Sequence, residues 1–403
     1  MPEPGTVASE EETSALMGQR HEHITEPDPI GPSCGPNLRD ICFSLGLVFM
    51  MLLSVGISAN LIDDKIDRLE NSKFTFKPVR YVSRTRSYFI SLEPYVSCVQ
   101  NKELKQTEQK LQELFPTVDL TTFGKCFVRY GIFSYKDSSF SDKIPGDVSS
   151  HGFIGAVVKG IVGDVVSITF RNQALEPMSL FPQCLEYDFV ESVSPGVTAH
   201  YSWKIMPAHA SPSRESPLSF LFYYSNLNRT FDMASGVFAP LVLSRNDAFA
   251  SKQDAYQVMS DSIRSEMFIY VSYIDEIRNW NIKRSLQLWN LSGTEMNVFL
   301  SSPQSFISTS SHVLSVKTSH GSMSLTRNQN VRVFLSSHGS SNVNPCEFTG
   351  GVLVSPSRTF TSVTLTPGTN QVLIFKPLVS GNHTFSCDTI SGVLEFSFVI
   401  VDA

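Results

Sequence analysis

Residues Val162 to Cys184 read VGDVVSITFRNQALEPMSLFPQC. After the Gly163-Asp164 turn pair, apolar side chains recur at Val166, Ile168 and Phe170, the period of two by which a half-buried strand presents one face to a core. The stretch therefore predicts a strand of a β-sandwich and not a helix. Phe stands at 29 positions, which suits an all-β chain of aromatic and β-branched strands separated by polar turns.

At 403 residues and 41% hydrophobic content, the chain is long enough for two or three domains with filled cores. Lys and Arg number 32 against 38 Asp and Glu, a formal charge of −6. No basic stripe follows residue 110, so a nucleic-acid partner is not expected.

Residues 1–40 are rich in Glu, Pro, Ser and Gly without apolar periodicity and predict a disordered cytosolic tail. Within it, Glu12, Leu16 and Met17 are spaced as in the acidic dileucine signals that cytosolic sorting adaptors bind on endosomal and lysosomal proteins. Residues 41–62 carry no charge between Arg39-Asp40 and Asp63-Asp64. A helix of that length covers the roughly 30 Å of a bilayer core, which predicts a transmembrane segment. Ile57-Ser58-Ala59 resembles a cleavage site, but the 40 residues ahead of the span and the length of the apolar run favour an uncleaved type II signal anchor. The flanking charges, Arg20 and Arg39 against Lys65 and Arg68, do not set the orientation. The sequons at Asn228, Asn290 and Asn382 all follow the span and favour a lumenal or extracellular C-terminal part. Residues 63–85 then form a charged stalk, and Lys102 to Phe115 predicts a short amphipathic helix inserted on the sandwich surface.

The order of motifs beyond the stalk resembles the A domain of ceruloplasmin, hephaestin and coagulation factors V and VIII, a pair of cupredoxin-like sandwiches. Arg86 to Glu93 (RSYFISLE) is similar to its opening strand, Tyr135 to Phe140 (YKDSSF) to its "Y-T-D-x-x-F", and Val162 to Ser179 to a core strand. Val193 to Ile205, Tyr223 to Ser225 and Ala234 to Leu241 complete one unit at 86–245. A polar linker spans 246–264. Met267 to Glu276 (MFIYVSYIDE) opens a second unit at 265–403, whose later strands match more loosely through Leu325 to Leu335 and Gly381 to Cys387. The resemblance thus implies two related Greek-key sandwiches in tandem.

It also implies where copper would sit. A type 1 centre uses two imidazoles and a thiolate. The resemblance puts these at Asn344, Cys387 and Gly392, so one ligand of three survives, and Phe181-Pro182-Gln183 stands where copper-binding members carry a His-x-His pair. No metal and no cofactor is therefore expected. In that fold the segments bearing Cys346 and Cys387 are neighbours, which implies a disulfide between them. Leu218 and Ser244 occupy the places of the family's own disulfide in the first unit. Cys98 with Cys126 makes a local bridge, leaving Cys184 either buried or joined to a second chain. No G-x-S-x-G elbow, zinc spacing or phosphate loop is present, and Glu186, Asp188 and Glu191 read as solvated acids rather than a calcium site.

The resulting expectation is a non-catalytic type II membrane glycoprotein of the endosome or lysosome, or else of the cell surface, whose paired module binds a protein partner or serves as structure. The alternatives are a ferroxidase-like multicopper enzyme with an unrecognised metal site, and a captured A domain serving as a viral envelope or decoy protein.

Overall fold

The computed structural model describes residues 83–98, 112–145, 155–187, 192–209, 218–244, 263, 265–301, 310–318, 324–338, 344–355, 358–389 and 392–402. The tail with Glu12, Leu16 and Met17, the apolar segment 41–62 and nearly all of the 246–264 linker lie outside them. No helix among the described residues is long and apolar enough to cross a membrane.

The first unit contains β1 (Thr85–Cys98), β2 (Cys126–Tyr135), β3 (Val158–Ile161), β4 (Val165–Asn172), β5 (Phe181–Pro182), β6 (Glu186–Tyr187), β7 (Thr198–Lys204) and β8 (Leu218–Tyr224). A short helix α1 (Arg229–Ala234) leads to β9 (Phe238–Ser244). One sheet has the order β2-β1-β4-β7-β6 and the other β3-β9-β8-β5. β4 is the predicted strand: Val166, Ile168 and Phe170 are fully buried, each stabilising the fold by roughly 1.5–3 kcal/mol. The turn before it has a direct cause. Gly163 takes φ 96, which glycine adopts without steric cost. The buried carboxylate of Asp164 accepts from Arg84 N at 3.1 Å and Arg86 Nε at 2.6 Å, fastening the turn to the start of β1.

The second unit contains β10 (Ser265–Asp275), α2 (Ile282–Leu288), α3 (Gly293–Ser301), β11 (Ser310–Thr318), β12 (Ser324–Thr326), β13 (Val331–His338), β14 (Asn344–Phe348) and β15 (Gly351–Val354). It continues through β16 (Thr359–Phe360), β17 (Ser362–Leu365), β18 (Asn370–Pro377), β19 (Gly381–Thr389) and β20 (Gly392–Val401). Its sheets run β11-β10-β13-β18-β15-β16 and β12-β20-β19-β14-β17. The repeat is visible strand by strand. β1 and β4 pair in parallel as β10 and β13 do, and β3 pairs in parallel with β9 as β12 does with β20. The described chain is thus mostly β, organised as two β-sandwiches of matching topology, each around its own apolar core.

Short helices among the described residues qualify the all-β expectation. α3 begins at a capping box: Glu295 N donates to Ser292 Oγ at 3.4 Å while Ser292 N donates to the Glu295 carboxylate at 2.6 Å. With α2 it packs Trp289, Leu286 and Phe299 against Phe115, Phe123 and Phe127. Phe115 is fully buried there, so the end of the expected surface insertion is core; residues 99–111 lie outside the described part.

The two sandwiches share an apolar seam. Phe220, Phe222, Phe238 and Val242 of β8 and β9 meet Phe268, Tyr270 and Ile274 of β10 and Phe334 of β13. Strands β8 and β10 are apolar on both faces because one faces its own core and the other the neighbouring sandwich. Buried polar contacts cross the same boundary: Lys317 Nζ donates to Gly155 O at 3.1 Å, and Arg129 pairs with Glu276.

Candidate functional site

The positions to which the resemblance assigns copper ligands lie on adjacent strands β14, β19 and β20. Cys346 and Cys387 face each other across the β14–β19 ladder and are joined as a disulfide. Both are buried, among Phe348, Phe385 and other members of the second core. Asn344, two residues before Cys346 on the inward face, is fully buried; its Nδ2 lies 3.5 Å from Ser337 Oγ and its Oδ1 has no hydrogen-bond partner. Gly392 opens β20 opposite Thr389, at the end of the β19–β20 hairpin. The structure therefore gathers the three positions at one end of a sheet, but the donors there are a carboxamide, a disulfide sulfur and a residue without a side chain.

This donor set does not fit type 1 copper. The centre needs a thiolate as its strong soft donor and imidazoles in its plane, and Cys387 Sγ is already committed to Cys346 Sγ. In the first unit, Phe181, Pro182 and Gln183 stand where the resemblance implies a His-x-His pair. Phe181 and Pro182 pair with Tyr224 and Tyr223, and Phe181 packs on Tyr187 and Tyr224 with centroids 5.4 and 5.3 Å away. Gln183 extends this pairing: its backbone N donates to Phe222 O at 2.8 Å and its Oε1 accepts from Phe222 N at 3.1 Å. Where metal ligands are implied, hydrogen-bonded ladder and aromatic packing stand instead.

Other expected sites distribute as follows. Cys98 and Cys126 form a second disulfide between the paired ends of β1 and β2. Cys184, at φ 62, is itself disulfide-bonded, so no free thiol stands among the described residues. Leu218 and Ser244 are register partners on β8 and β9. Glu186 lies on β6, whereas Asp188 and Glu191 fall outside the described residues; among the described residues no three acidic, His or Cys side chains group as metal ligands.

The three sequon asparagines differ in local role. Asn228 is the N-cap of α1, with its Oδ1 accepting from Phe231 N at 3.5 Å. Asn290 takes φ 59 after α2, the left-handed position that asparagine tolerates at a helix end, and its Nδ2 donates to Thr117 O at 2.7 Å. Asn382 stands exposed on β19.

A second locus escaped the sequence reading: a small enclosed cavity of about 10 Å³ in the seam, lined by Gln183, Phe222, Arg229, Phe238, Tyr270 and His338. It is too small for an organic ligand. The His338 ring lies 5.3 Å from Phe222 and 5.6 Å from Tyr270. Burial, and to a lesser degree the Arg229 charge, holds its pKa down to about 4. Nothing around a lone histidine in the sequence signals this burial.

The two sandwiches of matching topology form a paired cupredoxin-like module. Its homologues are hephaestin, ceruloplasmin and coagulation factors V and VIII. Human hephaestin is 24% identical over 169 residues, 38% of this chain and 14% of that protein. Canine coagulation factor VIII is 23% identical over 286 residues, 68% of this chain and 12% of that protein. Sheep ceruloplasmin is 26% identical over 188 residues, 45% of this chain and 17% of that protein. The chain thus spans less than a fifth of the length of these relatives. No family model matches it. Among solved structures, the copper nitrite reductase of Nitrosomonas europaea superposes with a TM-score of 0.45 at 14% identity, over 79% of this chain and 94% of that one. The blue copper oxidase of the same organism gives 0.45 at 11%, over 79% and 86%.

Proposed function

We propose that this chain is a non-catalytic, single-pass type II membrane glycoprotein whose lumenal pair of cupredoxin-like sandwiches binds a protein partner or serves as a structural module. The observation that carries the reading is the Cys346–Cys387 disulfide, which occupies the one sulfur that a type 1 copper would need. Core residues have kept the fold while the grafted site has changed, and function follows the site. The apolar span 41–62 and the acidic dileucine-like Glu12, Leu16 and Met17 support an endosomal or lysosomal membrane address with cytosolic adaptors as tail partners.

The rival reading is a ferroxidase-like enzyme, favoured by the relationship to a mouse protein named as a ferroxidase, 25% identical over 226 residues. Metal analysis of the purified full chain, with its visible spectrum, separates the two. The proposal expects no stoichiometric copper and no thiolate-to-copper charge-transfer band; either finding overturns it. For the address, Leu16→Ala with Met17→Ala is expected to move the protein toward the cell surface, and an unchanged distribution removes the sorting signal.

A further inference from the structure

Asn382 is the second residue of β19, and its register partner on β20 is Val399. Directly opposed residues of an antiparallel pair project from the same sheet face with Cβ atoms about 4.5–5.5 Å apart. Burial alternates along β20: Phe396, Phe398 and Ile400 enter the core, while Val399 and Val401 point out and are 41% and 42% exposed. Val379, in the turn before β19, is 58% exposed. Apolar side chains therefore stand in water beside the acceptor asparagine of an Asn-His-Thr sequon. Unlike Asn290, whose Nδ2 holds Thr117 O, and Asn228, whose Oδ1 caps α1, the Asn382 carboxamide makes no hydrogen bond among the described residues.

We propose that Asn382 carries an N-linked glycan whose first sugars lie over Val399 and Val401 and withdraw that sheet face from water and from other chains. The proposal rests on the lumenal placement argued above. In the transfer, Asn382 Nδ2 forms a bond to the anomeric carbon of a lipid-linked oligosaccharide, the bond from that carbon to the lipid diphosphate breaks, and one amide proton leaves to a base. The apolar faces of the first pyranose rings then rest on the valines while their hydroxyls meet solvent. A bulky, soluble group so placed makes this face unavailable for docking, so a protein partner engages other surfaces of the module.

The test uses the full chain expressed in animal cells. Peptides released by enzymatic deglycosylation in heavy-oxygen water report occupancy at Asn228, Asn290 and Asn382 separately. The expected result is an occupied Asn382. Asn382→Gln and Thr384→Ala, two independent ways of removing the sequon, are each expected to raise hydrophobic-dye binding by the folded protein roughly twofold over Asn228→Gln. Enzymatic trimming of the folded wild-type protein gives the same readout without a substitution. Asn382 empty while Asn228 or Asn290 is occupied overturns the proposal alone. An occupied Asn382 whose loss leaves dye binding unchanged overturns the shielding. All three sites empty removes the lumenal placement, and this proposal with it.

Discussion

Phe268 of β10 and Phe334 of β13 stack face to face, centroids 4.5 Å apart and planes 7° from parallel, on the side of the second sandwich that meets the first. Phe220 of the first sandwich reaches the Phe334 ring at 5.3 Å. The seam is therefore built from aromatic rings contributed by both units, each ring pair adding about 0.5–1.5 kcal/mol beyond its buried area.

Phe334→Ala removes a fully buried ring from this seam and is expected to cost about 3–5 kcal/mol. Calorimetry on wild type should show one unfolding transition, and the variant two, as the sandwiches lose their coupling. A single transition in the variant at an unchanged temperature removes the seam as the coupling element.

Arg129 and Glu276 form a buried ion pair across the same boundary, with Arg129 Nη1 also donating to Ala234 O at 2.6 Å. Burial pushes the Glu276 carboxyl pKa up, against the opposing pull of the Arg129 charge. Arg129→Met leaves that acid buried without its partner, at an expected cost of about 3–5 kcal/mol. Adding Glu276→Gln should restore part of the loss in urea melts. A double variant no better than the single one argues against charge as the cause.

Cys346 and Cys387 close a loop with a sequence separation of 41, for which loop entropy gives about 3–4 kcal/mol of stabilisation. The double substitution of both by Ser should lower the urea midpoint accordingly. Peptide mapping under non-reducing conditions should recover the pair from wild type.

His338 sets a pH dependence. Its folded pKa of about 4 lies below the unfolded value of about 6.5. Between those values the unfolded chain binds a proton that the folded chain refuses. Stability is therefore full above about pH 6.5 and declines toward pH 4, by no more than about 3 kcal/mol. His338→Gln should flatten the urea midpoint across that window; equal slopes in the two proteins would falsify this assignment.

The alternation at Val166, Ile168 and Phe170, the turn at Gly163 and Asp164, and the duplicated strand order were legible because a half-buried strand writes its two faces into a period of two. That no imidazole stands at Asn344 or Gly392, the positions the resemblance assigns to copper ligands, is equally local and needs only the sequence. α3 had a readable signal in Ser292 and Glu295, whose capping-box spacing went unused beside the surrounding strand pattern. Both-face apolarity in LSFLFYY and MFIYVSYI announced that β8 and β10 are covered twice, but not by what. Only the tertiary structure brought Phe220 to Phe334, buried Arg129 against Glu276 and closed the cavity around His338. The first two of these contacts join residues more than a hundred positions apart, and no period along a chain records which distant surface will exclude water from a given side chain.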